Sequence, residues 1–143
     1  MRINVGCGQT PTPGWRNFDN SLSLRLARVP ALASLLRRMR LIGAAQHQFI
    51  QFARGNAIEF GDVTRGLPVA DGSCEELYTS HMLEHLDREE ARTFLKEALR
   101  VLRPGGVLRI SVPDIRIQVA RYNQTGDADA FVEGAHMCAP RPR

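Results

Sequence analysis

A mostly parallel α/β sheet layered between helices is the fold class this 143-residue chain predicts, and three observations predict it. Short apolar runs alternate with stretches of helical periodicity, the arrangement that places helices on the faces of parallel strands. The first run, Arg2-Ile3-Asn4-Val5, feeds a Gly6-Cys7-Gly8 turn, where residues without Cβ let the backbone take positive φ and approach a ligand. Further on, Arg103-Pro104-Gly105-Gly106 closes a helical stretch and turns the chain into another apolar run.

The elements follow in order. A strand at residues 3–5 is succeeded by a brief one at 15–18 ending at Asp19, and others are expected at 58–60, 76–79 and 107–112. Residues 21–40 read as an amphipathic region interrupted at Pro30. Leu22, Leu26, Val29, Leu32, Leu35, Leu36 and Met39 can share its apolar side, and Arg25, Arg28, Arg37, Arg38 and Arg40 can take the other. A helix is expected over 44–53. The clearest helix spans 87–102: Asp87 and Glu90 make a capping box, and Ala91, Phe94, Leu95, Ala98 and Leu102 form one stripe. Arg100 and Arg103 suit its C-terminal dipole. After Pro113-Asp114 a last helix is expected to about residue 122, and residues 123–143 carry only a weak helical pattern.

Size and composition narrow the class. The length suits one domain over 1–143, with 43% hydrophobic and 24% charged residues as in ordinary soluble chains. The formal charge of +4 hides an asymmetry: residues 1–58 hold eight arginines and one acid, Asp19, whereas 59–143 hold eleven basic and fourteen acidic groups. A local basic face follows, not a whole-molecule polyanion binder. Arginines do not interleave with aromatics, so a nucleic-acid surface has weak support. Three cysteines, Cys7, Cys74 and Cys138, show no metal-binding or paired spacing, which points to a reducing compartment and a cytoplasmic location. Met1 leads straight into a strand with no signal-peptide pattern, and the apolar stretch 22–36 is broken by Arg25 and Arg28.

The glycine turn excludes one large ligand class. A dinucleotide fingerprint needs a third glycine and a helix opening at position 11 to receive the pyrophosphate. Here Gln9-Thr10-Pro11-Thr12-Pro13-Gly14 cannot begin a regular helix, and no phosphate-loop sequence occurs elsewhere. The ligand therefore carries ribose and carboxylate without pyrophosphate, for which S-adenosylmethionine is the candidate.

Asn4-Val5-Gly6-Cys7-Gly8, Asp19, Gly61-Asp62-Val63, Leu67-Pro68, Ser80-His81-Met82-Leu83-Glu84-His85-Leu86 and Leu102-Arg103-Pro104-Gly105-Gly106 occur in one order. In that order they resemble the class I S-adenosylmethionine-dependent methyltransferases, most closely the small bacterial methyltransferase type 11-like proteins. The resemblance covers about residues 2–114 and is poor over 21–55. It implies a Rossmann-like three-layer sandwich whose sheet normally has seven strands. The last two, an antiparallel pair, have no counterpart in residues 115–143, so an incomplete C-terminal part and an exposed edge at 107–112 are expected. Residues 21–55 are then a variable basic helical insertion.

The resemblance assigns cofactor binding to Val5, Gly6, Cys7, Gly8, Asp19, Asp62, Val63, Ser80 and His81. Asp19 can accept both ribose hydroxyls, or serve as a turn residue in Asp19-Asn20. Asp62 can accept from the adenine amino group, or cap the turn that follows. Gly6 and Gly8 let the backbone approach the methionine portion, or form a plain tight turn. His81 is the first candidate for a general base and His85 the second, since imidazoles titrate near neutral pH. Either can instead line the pocket or tie down the next helix. On a helix, His81, Glu84 and His85 would share a face and could hold a divalent metal with His136. That set is similar to metal-assisted small-RNA 2′-O-methyltransferases, which have Glu at the first position; the preferred reading has no metal. The expected reaction is methyl transfer to a small-molecule or glycan/lipid-linked acceptor. The alternative is an inactive or truncated cofactor-binding module acting as a partner subunit. For residues 21–40, peripheral contact with an anionic membrane stands beside a lid packed on the protein's own core.

Overall fold

The computed structural model describes residues 1–135. Residues Met1–Ser111 form one compact unit, and the described residues from Val112 to Ala135 belong to a second.

In the first unit five strands make one sheet: β1 (Arg2–Val5), β2 (Arg16–Asp19), β3 (Ile58–Phe60), β4 (Cys74–Ser80) and β5 (Leu102–Ser111). Their order is β3-β2-β1-β4-β5, and every neighbouring pair is parallel. The α/β class is therefore as the sequence reads. A parallel sheet is covered on both faces, so its central strand β1 is buried at three of its four residues. Ile3 and Val5 are fully buried. The polar exception is Asn4, whose amide donates to Thr12 Oγ1 at 3.1 Å and to the Thr10 carbonyl at 3.3 Å. Asn17 accepts from the Thr12 N–H at 2.7 Å and donates to the Thr12 carbonyl at 3.1 Å. Those two side chains pin the proline-rich loop and let β1 reach β2 without a helix.

The core gathers Ile3, Val5, Phe18, Leu77, Phe94, Ala98 and Val101. Helix α4 (Arg88–Val101) contributes three of these and starts on the expected capping box. Asp87 accepts from the Glu89 and Glu90 N–H groups at 2.8 Å, and Glu90 accepts from the Asp87 N–H at 2.9 Å. Its end differs from expectation. The helix stops at Val101, Leu102 is already extended, and Arg103 lies in β5 with its guanidinium 3.6 Å from Glu75. Leu95, expected in the stripe, is exposed. The reason is long-range pairing: Cys74 pairs with Leu102 and Glu76 with Val107, so Arg103-Pro104-Gly105-Gly106 bulges out of the strand. Gly105 has φ +77, and a Cβ on Gly106 would lie 2.9 Å from the Arg103 carbonyl. β5 ends the sheet as the expected edge, with Val107 and Ile110 exposed.

Glu97 and Arg100 clamp the loop after β3 to α4. Glu97 accepts from the Leu67 N–H at 2.6 Å and from Arg100, which also donates to the Val69 and Leu67 carbonyls. The bonds from Arg100 hold the Glu97 carboxyl below its usual range.

Between β2 and β3 run α1 (Ser23–Ala27), α2 (Pro30–Arg38) and α3 (Ala44–Gly55). Pro30 does not merely interrupt a helix; it occupies the first turn of α2, where its missing N–H costs nothing. These helices have a small core of their own: Ala33, Ile42 and Ile50, with Leu26, Ala27 and Leu36 against it.

The second unit contains α5 (Ile115–Thr125) and α6 (Ala128–Gly134). Asp114 and Asp127 cap them, and Gly126 at φ +66 separates them. The weak pattern after 122 thus lengthens one helix and makes another. Among the described residues no strand follows Ser111. Cys7 and Cys74 are free and buried, while His136 and Cys138 lie outside the described residues. No described helix is long and apolar enough to cross a membrane.

Candidate functional site

At the carboxyl ends of β1, β2 and β4 a cleft of about 400 Å³ opens. That is where parallel sheets place ligands, and the size falls in the ordinary range of ligand sites. Gly6, Asp19, Asp62, Val63, His81 and His85 line it. The topology brings these together from positions 6 to 85 of the chain.

The glycine turn and Asp19 lock each other. Asp19 Oδ2 accepts the Gly8 N–H at 3.0 Å, and Oδ1 accepts the Ser21 N–H at 2.8 Å. A carboxylate offers about four lone-pair positions, so two remain for hydroxyl donors in the cleft. Asp19 thus anchors the turn, as the alternative reading allowed, and also lines the cleft. Gly6, at φ +67, has no room for a side chain, because a Cβ would stand 2.7 Å from Met82 Cγ and 2.9 Å from Met82 Cβ. Thr79, fully buried beneath this point, has a hydroxyl with no hydrogen-bond partner among the described residues.

Asp62 caps the turn that follows it, as the alternative reading allowed. Its Oδ1 caps the turn by accepting from the Thr64 N–H at 3.0 Å and the Thr64 hydroxyl at 2.7 Å. Its Oδ2 lies 3.4 Å from Arg65 Nε, and both residues line the cleft. Gly61, just before it, is packed against Phe18 and Leu67 so tightly that a Cβ would meet them at 2.7 and 3.0 Å.

Four assigned residues stand behind or beside the cleft. Val5 and Cys7 are buried, and Cys7 hydrogen-bonds through its N–H to the Phe18 carbonyl at 3.1 Å. Burial, with Asp19 adding to it, pushes the Cys7 thiol up to about 12, so it is no nucleophile. Gly8 acts through its bond to Asp19, and Ser80 is the last residue of β4. Gly61, Met82, Asn20, Thr64, Arg65, Leu86 and Glu90 complete the lining. Sequence reasoning missed Met82, whose place against Gly6 has no local signal.

His81 sits immediately after β4 with φ +53, a left-handed conformation uncommon outside glycine. Its N–H is fixed to the Ser111 carbonyl at 3.0 Å, and its Nδ1 stands 3.4 Å from Glu84 Oε1. Residues Leu83–His85 form a 3₁₀ turn, not an α-helix. The shared α-helical face imagined for His81, Glu84 and His85 is therefore not built. Among the described residues no group of three or more His, Cys, Asp or Glu is placed to hold a metal.

The cleft fits S-adenosylmethionine by its chemistry. Three carboxylates, Asp19, Asp62 and Glu90, line it against one arginine, Arg65. Such a field suits a ligand with a sulfonium and an ammonium group and disfavours a pyrophosphate.

Known proteins point the same way. A methyltransferase of Streptomyces halstedii, GfsG, is 28% identical over 133 residues, and the chain spans 42% of that protein's length. The PH0226 protein of Pyrococcus horikoshii superposes with a TM-score of 0.53 at 15% identity, covering 96% of this chain and 73% of the other. An S-adenosylmethionine-dependent methyltransferase of Thermotoga maritima gives 0.55 at 16% identity, covering 96% and 62%. At those identities the likeness is one of fold. The profile of the family described as "Methyltransferase domain" matches residues 22–110, more than half of the chain. With that match, the parallel sheet and the acid-lined glycine cleft, this chain belongs to the class I methyltransferase-domain family, whose cofactor is S-adenosylmethionine.

Proposed function

We propose that the chain transfers a methyl group from S-adenosylmethionine to a small-molecule or glycan/lipid-linked acceptor, with His81 as the base that removes the acceptor's proton. One observation carries this reading: the glycine turn, Asp19 and His81 converge on a single acid-lined cleft. Residues 1–143 are read as one methyltransferase-like domain, and the two buried free cysteines support a cytoplasmic location.

The bound cofactor supplies a methyl group already activated on a sulfonium. The protein's part is then alignment, exclusion of water and proton removal. The backbone at Gly6 and Gly8 allows close approach, Asp19 holds hydroxyls, and Asp62 offers an acceptor on the adenine side. His81 lines the cleft from the end of β4, and Glu84, whose Oε1 stands 3.4 Å from its Nδ1, orients the ring for proton removal. His85 lines the same cleft and is the second candidate for that role.

The test is transfer of radiolabelled methyl to a panel of hydroxyl, amine and thiol acceptors. For a hydroxyl acceptor, His81→Ala is expected to lower kcat by ~10²-fold or more with little change in KM for the cofactor. Cofactor binding by the native chain with no transfer to any acceptor would replace this reading with a cofactor-binding partner subunit.

A further inference from the structure

Helix α2 presents two apolar sides, and only one is used internally. Ala33 is buried and Leu36 packs with it against Ile42 and Ile50. Around the helix from these, Leu32, Leu35 and Met39 recur at i, i+3 and i+7. They are 40, 50 and 59% exposed. Val29 precedes them and Leu41 follows, both also exposed. Exposed apolar residues scattered singly need no explanation, but a row on one helix does.

The charge around that row is of one sign. Arg37 and Arg38 occupy the last turn of α2, Arg28 and Arg40 flank it, and no acidic residue occurs between Asp19 and Glu59. This composition disfavours one simple occupant. In a two-fold dimer the same patch meets itself, so two arginine rims would face each other without a carboxylate from the same segment. An anionic lipid surface satisfies both halves of the pattern: apolar side chains enter the headgroup boundary while arginines stay with the phosphates.

We propose that the exposed apolar row of α2, together with Arg28, Arg37, Arg38 and Arg40 on and next to the helix, docks the protein on an anionic membrane surface. The segment is tied to the rim of the cofactor cleft, since the Arg25 guanidinium lies 4.4 Å over the Phe60 ring at the end of β3, next to Gly61 and Asp62. Docking by α2 therefore holds the cleft close to the lipid. The inference does not depend on turnover: it concerns where the domain binds, whatever acceptor it uses.

Co-sedimentation of the full chain with vesicles tests it, using phosphatidylcholine alone and phosphatidylcholine containing phosphatidylglycerol at ~30%. The native chain is expected to partition at least about tenfold more strongly onto the anionic vesicles, and to lose most of that preference when salt is raised to ~0.5 M. Leu35→Ser with Met39→Ser, and separately Arg37→Glu with Arg38→Glu, are each expected to weaken binding about tenfold or more, with unchanged circular dichroism. Arg88→Glu with Arg92→Glu on α4 is the control and should leave binding as it was. Equal partition onto neutral vesicles, or as large a loss in the α4 control, overturns the proposal. So does a native dimer in light scattering that the Leu35/Met39 variant disperses, since a second copy would then occupy the row. If the serine variant fails to fold, the arginine pair alone decides.

Discussion

The sheet and the helical insertion between β2 and β3 are held by different means. Around the sheet, Ile3, Val5, Phe18, Leu77, Phe94 and Val101 are fully buried in one cluster. In the insertion Ile50 is the large side chain buried to that degree, while Leu22, Val29, Leu32, Leu35, Met39 and Leu41 are exposed. The residues proposed to hold the cofactor sit on the first region, at the ends of strands that cannot shift without opening the core. The insertion is a thin layer whose outer face is free to meet something else. Precise positioning of a shared cofactor calls for the first kind of packing, and contact with a partner or acceptor tolerates the second.

The largest effect that separates the two is cavity formation. Phe18→Ala is expected to cost ~3–5 kcal/mol in denaturant unfolding, and Ile50→Ala nearer ~2 kcal/mol, because the smaller cluster can collapse around the gap. Equal losses would break the distinction. Glu97→Gln tests the clamp that fixes the loop carrying Leu67 and Val69 to α4; a loss of ~1–2 kcal/mol at neutral pH is expected. The sign of its pH dependence follows from the lowered carboxyl. The native contribution is full above the ordinary value of 4.5 and disappears as pH falls through the lower folded value. Urea midpoints of native protein and variant should therefore converge on the acid side. The smallest effect is local: Asp87→Ala removes the α4 cap and should cost ~1 kcal/mol in thermal or urea unfolding, with no change in the cleft.

What could be read in the sequence was what neighbours in the chain decide. The capping box at Asp87 and the loop that cannot begin a helix at Pro11 follow from local chemistry and are found, whereas Pro30, read as an interruption, opens α2. The order of motifs carried the fold. What could not be read depends on partners distant in sequence. β5 begins at Leu102 because Cys74 pairs with it, so the Pro104-Gly105-Gly106 run becomes a bulge and not a simple turn. Met82 closes over Gly6 from 76 residues away. The left-handed His81 and the 3₁₀ turn at Leu83–His85 replace the α-helix that the spacing suggested, so the three residues share no helical face, although His81 still meets Glu84. Within the cleft, Asp19 and Asp62 were legible as functional candidates. Their second task of holding turns was visible only as an alternative.

The central claim is that the acid-lined cleft at Gly6 and Asp19 is the cofactor site. Calorimetric titration of S-adenosylhomocysteine into the native chain and into Asp19→Ala tests it most directly, with circular dichroism to show that both are folded. The account predicts binding by the native chain that weakens at least tenfold in the variant, about 1.4 kcal/mol. No binding by a folded native chain, or equal binding by both, would contradict it.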